Sequence, residues 1–248
     1  MKRILLIFFV FIFNQNLLFA QNDSIPDVSP VKNKSFLKRS IVPISLIGTG
    51  LIINYSSGSI GKENIQDQIQ GGLDNFHTSA ENFIMFVPTI TMYTADLFKA
   101  DSKNDAFTQT KYLAIAGITN NLITVGLKYL TDEERPNGEA HSFPSGHTSN
   151  AFVMATVLHH EFIDSSPLLA YSGFVFATTT GVLRVMNNKH WVSDVLVGAG
   201  IGILVTDLVY RFEPLKNWNP FKDKKNHSLI ISPTYQNDQF GLYANLQF

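Results

Sequence analysis

Six apolar stretches, at residues 41–55, 83–98, 111–130, 149–162, 168–186 and 191–212, take up most of the segment 41–212. Their lengths and spacing predict six helices, which commits the body of the protein to an all-α architecture. The Gly- and Gln-rich segment 56–82 predicts a loop with one short amphipathic helix. Only 16% of the 248 residues are charged while 45% are hydrophobic. An ordinary soluble domain carries roughly 25% charge, so the shortage points to a membrane-associated or unusually apolar helical protein. The net charge of −1 excludes a nucleic-acid binder that relies on a basic surface. With no cysteine in the sequence, disulfides, thiolate metal sites and a cysteine nucleophile are excluded too.

The ends of the chain read differently from its middle. Met1-Lys2-Arg3 precedes an apolar run from Ile4 to Phe13, and Leu18-Phe19-Ala20 ends on a small residue. That layout predicts a signal peptide over 1–20, the run being shorter than the roughly 20 residues of a membrane span. The rest would then be exported to the cell envelope, on the periplasmic side. Residues 21–40, with Pro26, Pro30, Lys32, Lys34, Lys38 and Arg39, read as a linker. The helical domain is expected over 41–212, followed by a tail over 213–248. In that tail Leu229, Ile231, Pro233 and Tyr235 alternate with other residues, as do Phe240, Leu242, Ala244, Leu246 and Phe248. Period-2 alternation around Gln236-Asn237-Asp238-Gln239 predicts a small β-hairpin, and two strands cannot close a barrel. Residues 168–183 carry no charge, which favours membrane association. Asp96, Asn120, Asn121 and Asp207 interrupt the other stretches, so the sequence leaves spanning and partial embedding both open, and it is silent on oligomeric state.

Three polar blocks sit at the edges of these stretches. The first runs from Lys128 to Arg135-Pro136, the second is Pro144-Ser145-Gly146-His147-Thr148, and the third runs from Arg184 through His190 to Asp194. Lys128 as a point charge and Arg135 as a planar fork can both donate to one small anion. The turn at Pro144 and Gly146 leads into a helix, which would put the Ser145, Gly146 and His147 amides at a helix N-terminus that attracts phosphate. His190 and Asp194 are four apart and would share a helical face. A carboxylate there can hold the proton on one imidazole nitrogen and leave the other free to attack. With Arg184 as a third cation, this is equipment for binding a phosphoryl group and displacing it without a metal.

The order and spacing of these blocks resemble the type 2 phosphatidic acid phosphatase (PAP2) superfamily, which shares its site with vanadium haloperoxidases. The family pattern is Lys, six residues, Arg-Pro; then Pro-Ser-Gly-His; then Ser-Arg, five residues, His, three residues, Asp. The chain matches at Lys128, Arg135, Pro136, Pro144, Ser145, Gly146, His147, Arg184, His190 and Asp194. The resemblance implies a six-helix bundle and a metal-independent phosphatase that needs no cofactor. His190 would be the nucleophile, Asp194 its orienting partner and His147 the general acid. Lys128, Arg135, Ser145, Gly146 and Arg184 would hold the phosphate. Phosphorylated envelope lipids are the implied substrates: lipid A phosphate, undecaprenyl pyrophosphate or phosphatidic acid. Soluble phosphomonoesters and vanadate-dependent halide oxidation stand as alternatives. Where the family has Ser before the arginine this chain has Leu183, with Thr180 one turn earlier as a possible stand-in.

Other polar residues carry less. His159-His160-Glu161 lacks the second histidine of a zinc-binding His-Glu-x-x-His motif, Asp164 standing there instead, and reads as a helix-end surface. His141 reads as a solvated loop residue, Asp132, Glu133 and Glu134 as a solvated loop edge, and Trp191 as helix packing. His77 and His227 carry no pattern.

Overall fold

The computed structural model describes residues 32–73, 76–220, 228–236 and 239–247. The signal peptide expected over 1–20 and most of the linker expected over 21–40 lie outside these residues. The protein is predominantly helical. The helices are α1 (Lys32–Tyr55), α2 (Lys62–Gln70), α3 (Glu81–Ile84), α4 (Val87–Leu97), α5 (Ala106–Thr131), α6 (Gly146–Phe162), α7 (Pro167–Met186) and α8 (Val192–Phe212). A 3₁₀ turn at Gly58–Ile60 separates α1 from α2.

That makes eight α-helices among the described residues where six were expected. One addition, α2, lies in the segment expected to hold a short amphipathic helix. The other, α3, has four residues, too few to show a helical period. The linker reading also fails over its last nine residues, because α1 begins at Lys32. Between Pro30 and Pro43 no residue breaks a helix, and Lys, Phe, Leu and Arg all sustain one. At the other end β1 (Ser228–Gln236) pairs antiparallel with β2 (Gln239–Gln247), in a register that sets Tyr235 opposite Phe240 and Ile231 opposite Ala244.

α8 is the axis of the bundle, with α1 and α6 against it and α7 on the far side of α6. Close approach depends on glycine. A Cβ on Gly202 would lie 2.3 Å from Ser149 O, and one on Gly198 would lie 2.7 Å from Ser145 O. These two glycines, four apart, let α8 touch the backbone of α6, a spacing common where helices pack tightly in apolar surroundings. Gly202→Ala should therefore force α6 and α8 apart and cost about 1–3 kcal/mol, read as a lowered midpoint of thermal unfolding. An unchanged midpoint would mean the interface has slack that this packing lacks.

The polar residues that interrupt the apolar stretches make bonds between elements. Asn120 Nδ2 donates to Ser149 Oγ and to Asn150 Oδ1, both at 3.0 Å, and Asn150 Nδ2 donates back to Asn121 Oδ1. Asp207 accepts from His160 at 2.7 Å, and Asp96 accepts from Gln109 at 3.2 Å. Hydrogen-bonded pairs of this kind let polar groups sit in a bundle whose outer faces are apolar. Those faces are plain on α5, where Ile118, Leu122 and Leu130 are exposed, and on α7, where Leu168 and Val175 are. Among the described residues α5, α7 and α8 are long and apolar enough to cross a membrane.

The His159-His160-Glu161 reading as a helix-end surface is corrected. His160 and Glu161 are buried: His160 stacks on Tyr210 with ring centroids 4.3 Å apart, and Glu161 accepts from Asn104 and from the Tyr210 hydroxyl. The pair locks α6 to α8 at the end of the bundle remote from the three blocks.

Candidate active site

Lys128 lies in the last turn of α5, where Asp132 takes up a left-handed conformation and ends the helix. Its ammonium donates to His141 O at 2.6 Å and Ser142 O at 2.9 Å, which folds the 132–142 loop back over the helix end. Within that loop Arg135 pairs with Glu139. The loop is held from outside as well. Glu133 pairs with Lys62 of α2 and accepts from Asn54 of α1, and Ser142 N–H donates to Glu133 O at 2.7 Å. Glu133 is thus a structural anchor and departs from the solvated loop edge expected of it.

The second block delivers Ser145, Gly146 and His147 to the start of α6. Ser145 is the N-cap, its hydroxyl accepting from Thr148 N–H at 3.4 Å and sharing a hydrogen with Thr148 Oγ1 at 2.9 Å. Its own amide donates to Asp194 O at 3.1 Å. The expectation that this amide faces an anion is corrected: it ties α6 to α8. The amides of Gly146 and His147 fall in the first turn, where no intrahelical acceptor exists. A Cβ built on Gly146 would lie 3.9 Å from Lys128 Cε, so this turn faces the lysine.

The third block folds differently from a shared helical face. α8 begins at Val192, so His190 precedes it while Asp194 lies in its first turn. The carboxylate reaches back and caps the helix, its Oδ2 accepting from Trp191 N–H at 3.1 Å and from His190 Nδ1 at 3.0 Å. Ser142 Oγ–H donates to the same oxygen. His190 and Asp194 are almost wholly buried. With Nδ1–H given to the carboxylate, His190 keeps its lone pair on Nε2. Trp191 does more than pack: its indole N–H donates to Glu134 O at 2.8 Å, and Lys62 lies over its ring.

Arg184, in the last turn of α7, is buried and turned toward the same place. Its Nη1 lies 3.4 Å from Glu81 Oε1, as does Lys189 Nζ. Leu183 is half-buried beside it. Thr180 does not replace the missing serine, because its hydroxyl donates to Phe176 O at 3.0 Å within its own helix.

The electrostatics show how close these groups are. Burial, then Arg184, Lys128, Arg135 and His147, hold His190 well below the usual imidazole range. Burial, then Arg184, lower His147 to about 4, with Lys189 and Arg135 acting the same way and Glu81 opposing them. At neutral pH both rings are therefore uncharged in a field made by three or four cations. Such a field has a deficit that a small multivalent anion would fill. Among the described residues no group of three His, Asp or Glu side chains is arranged to hold a metal ion. His141 lies in the 132–142 loop with its Nδ1 3.2 Å from Asp132 and its ring against Tyr129, and His77 is exposed. His227 lies outside the described residues.

Three residues beside the site gave no signal in the sequence. Ser142 holds Asp194, Asn82 meets His147 Nε2 at 3.0 Å, and Glu81 holds Arg184 and Lys189. Glu81 and Asn82 sit on α3, more than sixty residues from their partners, where no spacing could tie them together.

The sequence model of the PAP2 superfamily matches residues 109–218, from α5 to just past the end of α8. Residues 109–218 thus fall within the PAP2 superfamily. Two similar proteins are bacterial. The chain is 35% identical over 156 residues to a lipid A 1-phosphatase of Porphyromonas gingivalis, a match covering 62% of this chain and 35% of that protein. It is 29% identical over 150 residues to phosphatidylglycerophosphatase B of Bacillus subtilis, covering 55% of this chain and 71% of that one. The chain thus spans about a third of the length of the first of these PAP2 relatives. A solved transmembrane PAP2 type phosphatidylglycerolphosphate phosphatase from Bacillus subtilis is also similar. Identity there is 20% and the TM-score 0.49, with 73% of this chain and 99% of that chain covered.

Proposed function

We propose that this PAP2 protein is a metal-independent phosphatase acting on phosphorylated envelope lipids through a phosphohistidine at His190. The observation that carries the reading is the convergence, at one end of an apolar helical bundle, of a His190–Asp194 pair, a second histidine and three cations from separate parts of the chain. The relatives named for lipid A and phosphatidylglycerophosphate support a lipid substrate, as do the exposed apolar faces of α5 and α7. The same features support membrane association, with export and a periplasmic site part of this proposal.

The chemistry follows from the groups present. Lys128, Arg135 and Arg184, with the Gly146 and His147 amides, bind the phosphoryl oxygens. Ser145 orders that turn, and the substrate displaces Glu139 and Glu81 from the two arginines. His190 Nε2 attacks phosphorus, the P–O bond to the lipid breaks, and its electron pair leaves with the oxygen, which takes a proton from His147. A bound phosphate dianion offsets the cationic field and lets His147 carry that proton. Water, losing a proton to His147, then attacks the phosphohistidine; the P–N bond pair returns to His190 and phosphate departs.

A panel of lipid A, undecaprenyl pyrophosphate, phosphatidic acid and a soluble aryl phosphate, assayed with and without detergent and with EDTA, tests the reading. Detergent-dependent release from one lipid, unchanged by EDTA, is the expected outcome. Inactivation by EDTA with recovery on adding a divalent metal would overturn the mechanism, and preference for the soluble ester would overturn the substrate class.

A further inference from the structure

Two neighbours on α3 reach two different groups of the site: Glu81 meets Arg184 and Lys189, and Asn82 meets His147. α3 is itself fastened next to the third block, since Thr78 N–H donates to Asn187 Oδ1 and Asn187 Nδ2 donates to Thr78 O, both at 2.9 Å. We propose that Asn82 is a positioning residue for His147, holding Nε2 so that Nδ1 is the nitrogen that exchanges a proton with the leaving oxygen. This inference rests on the reading of His147 as general acid.

An imidazole with one nitrogen anchored is fixed in both orientation and tautomer, because an amide oxygen at Nε2 accepts only when that nitrogen carries hydrogen. The chemistry of the anchor matters as much as its place. His190, which must be a good electron-pair donor, is backed by the carboxylate of Asp194. His147, which must give a proton away, is backed by a neutral amide. The charged and titratable groups that face it are Arg184, Lys189 and Arg135, which make it a stronger acid, Glu81, which opposes them, and the His190 ring. A carboxylate at position 82 would add a second opposing charge and weaken the acid.

The test uses leaving groups. An aryl phosphate such as p-nitrophenyl phosphate expels a stable anion and needs little protonation, whereas a short-chain alkyl phosphate needs a proton as its P–O bond breaks. kcat/KM, which reports the steps up to phosphoenzyme formation, is measured for both esters in one detergent with wild type, His147→Ala, Asn82→Ala and Asn82→Asp. His147→Ala is expected to lose the alkyl ester selectively. Asn82→Ala should follow it, losing about tenfold or more on the alkyl ester and less than about threefold on the aryl ester. Asn82→Asp should move the alkyl-ester pH profile upward. If His147→Ala is selective but Asn82→Ala loses both esters equally, or neither, the positioning role is overturned and the general-acid reading survives. If His147→Ala itself loses both equally, the reading beneath the proposal falls with it. Should Asn82→Ala fail to fold, Asn82→Asp decides alone, being close in size and still an acceptor, and an unmoved pH profile overturns the proposal.

Discussion

His190→Ala is expected to lower phosphate release by about 10⁴-fold or more while the bundle stays folded, since removal of a nucleophile takes away a whole covalent step. The fold should survive because the Asp194 carboxylate keeps two of its three donors, Ser142 Oγ–H and Trp191 N–H, and its cap on α8 does not depend on the ring. Rates and thermal unfolding measured on one preparation separate the two effects. The covalent step can be caught directly. His147→Ala, given p-nitrophenyl phosphate, should still form the phosphoenzyme, lack the base that helps water attack it, and accumulate a phosphate adduct that is labile in acid and stable in alkali. The same adduct should be missing from His190→Ala. pH gives a further check. Burial and three nearby cations hold His190 well below the usual imidazole range, so its attacking form persists as pH falls through 7 and 6. Loss of rate from its protonation belongs at lower pH than for an ordinary histidine. Substantial turnover by His190→Ala would end the phosphohistidine mechanism.

Much of this arrangement was legible in the sequence because local spacing encodes it. Lys128 and Arg135 flank a helix end and a loop, and Ser145 to His147 open a helix. Apolar runs of helical length mark the long helices, and period-2 alternation marks the hairpin. Errors arose where tertiary structure decided the outcome. His190 and Asp194 meet because the helix starts between them and the carboxylate turns back to cap it; the i,i+4 spacing was right for a different reason. The Ser145 amide is used against the α8 backbone, which only the packing of α6 on α8 could reveal. Thr180 spends its hydrogen on its own helix. Glu81 and Asn82 were invisible for a third reason: a four-residue helix has no period, and their partners lie 103 and 65 positions away. The buried His160 and Glu161 read as surface because a polar pair at a helix end usually is; the compensating groups, Asp207 and Tyr210, arrive from another helix.

The Arg184–Glu81 pair should separate binding from stability. Both residues are buried, Glu81 with no exposed surface at all. Removing one member of a buried pair leaves an uncompensated charge and costs about 3–5 kcal/mol. Arg184→Met should sit at the low end, about 3 kcal/mol, because Lys189 remains 3.4 Å from the carboxylate. It should also lower kcat/KM by about 10²–10³-fold, the usual cost of deleting one donor to a transition-state oxyanion. Adding Glu81→Gln to that variant removes the orphaned charge, so the double variant should regain most of the lost stability, measured by chaotrope unfolding in detergent. Its activity should stay as low as that of Arg184→Met, because no donor to the phosphate has come back. If the single variant is as stable as wild type, the pair contributes nothing to the fold. If the double variant recovers turnover along with stability, Arg184 acts through Glu81 and not on the phosphate, and the site has two working cations instead of three. Glu81 would then be the residue that substrate binding must overcome, and Glu81→Gln alone would tighten inhibition by inorganic phosphate.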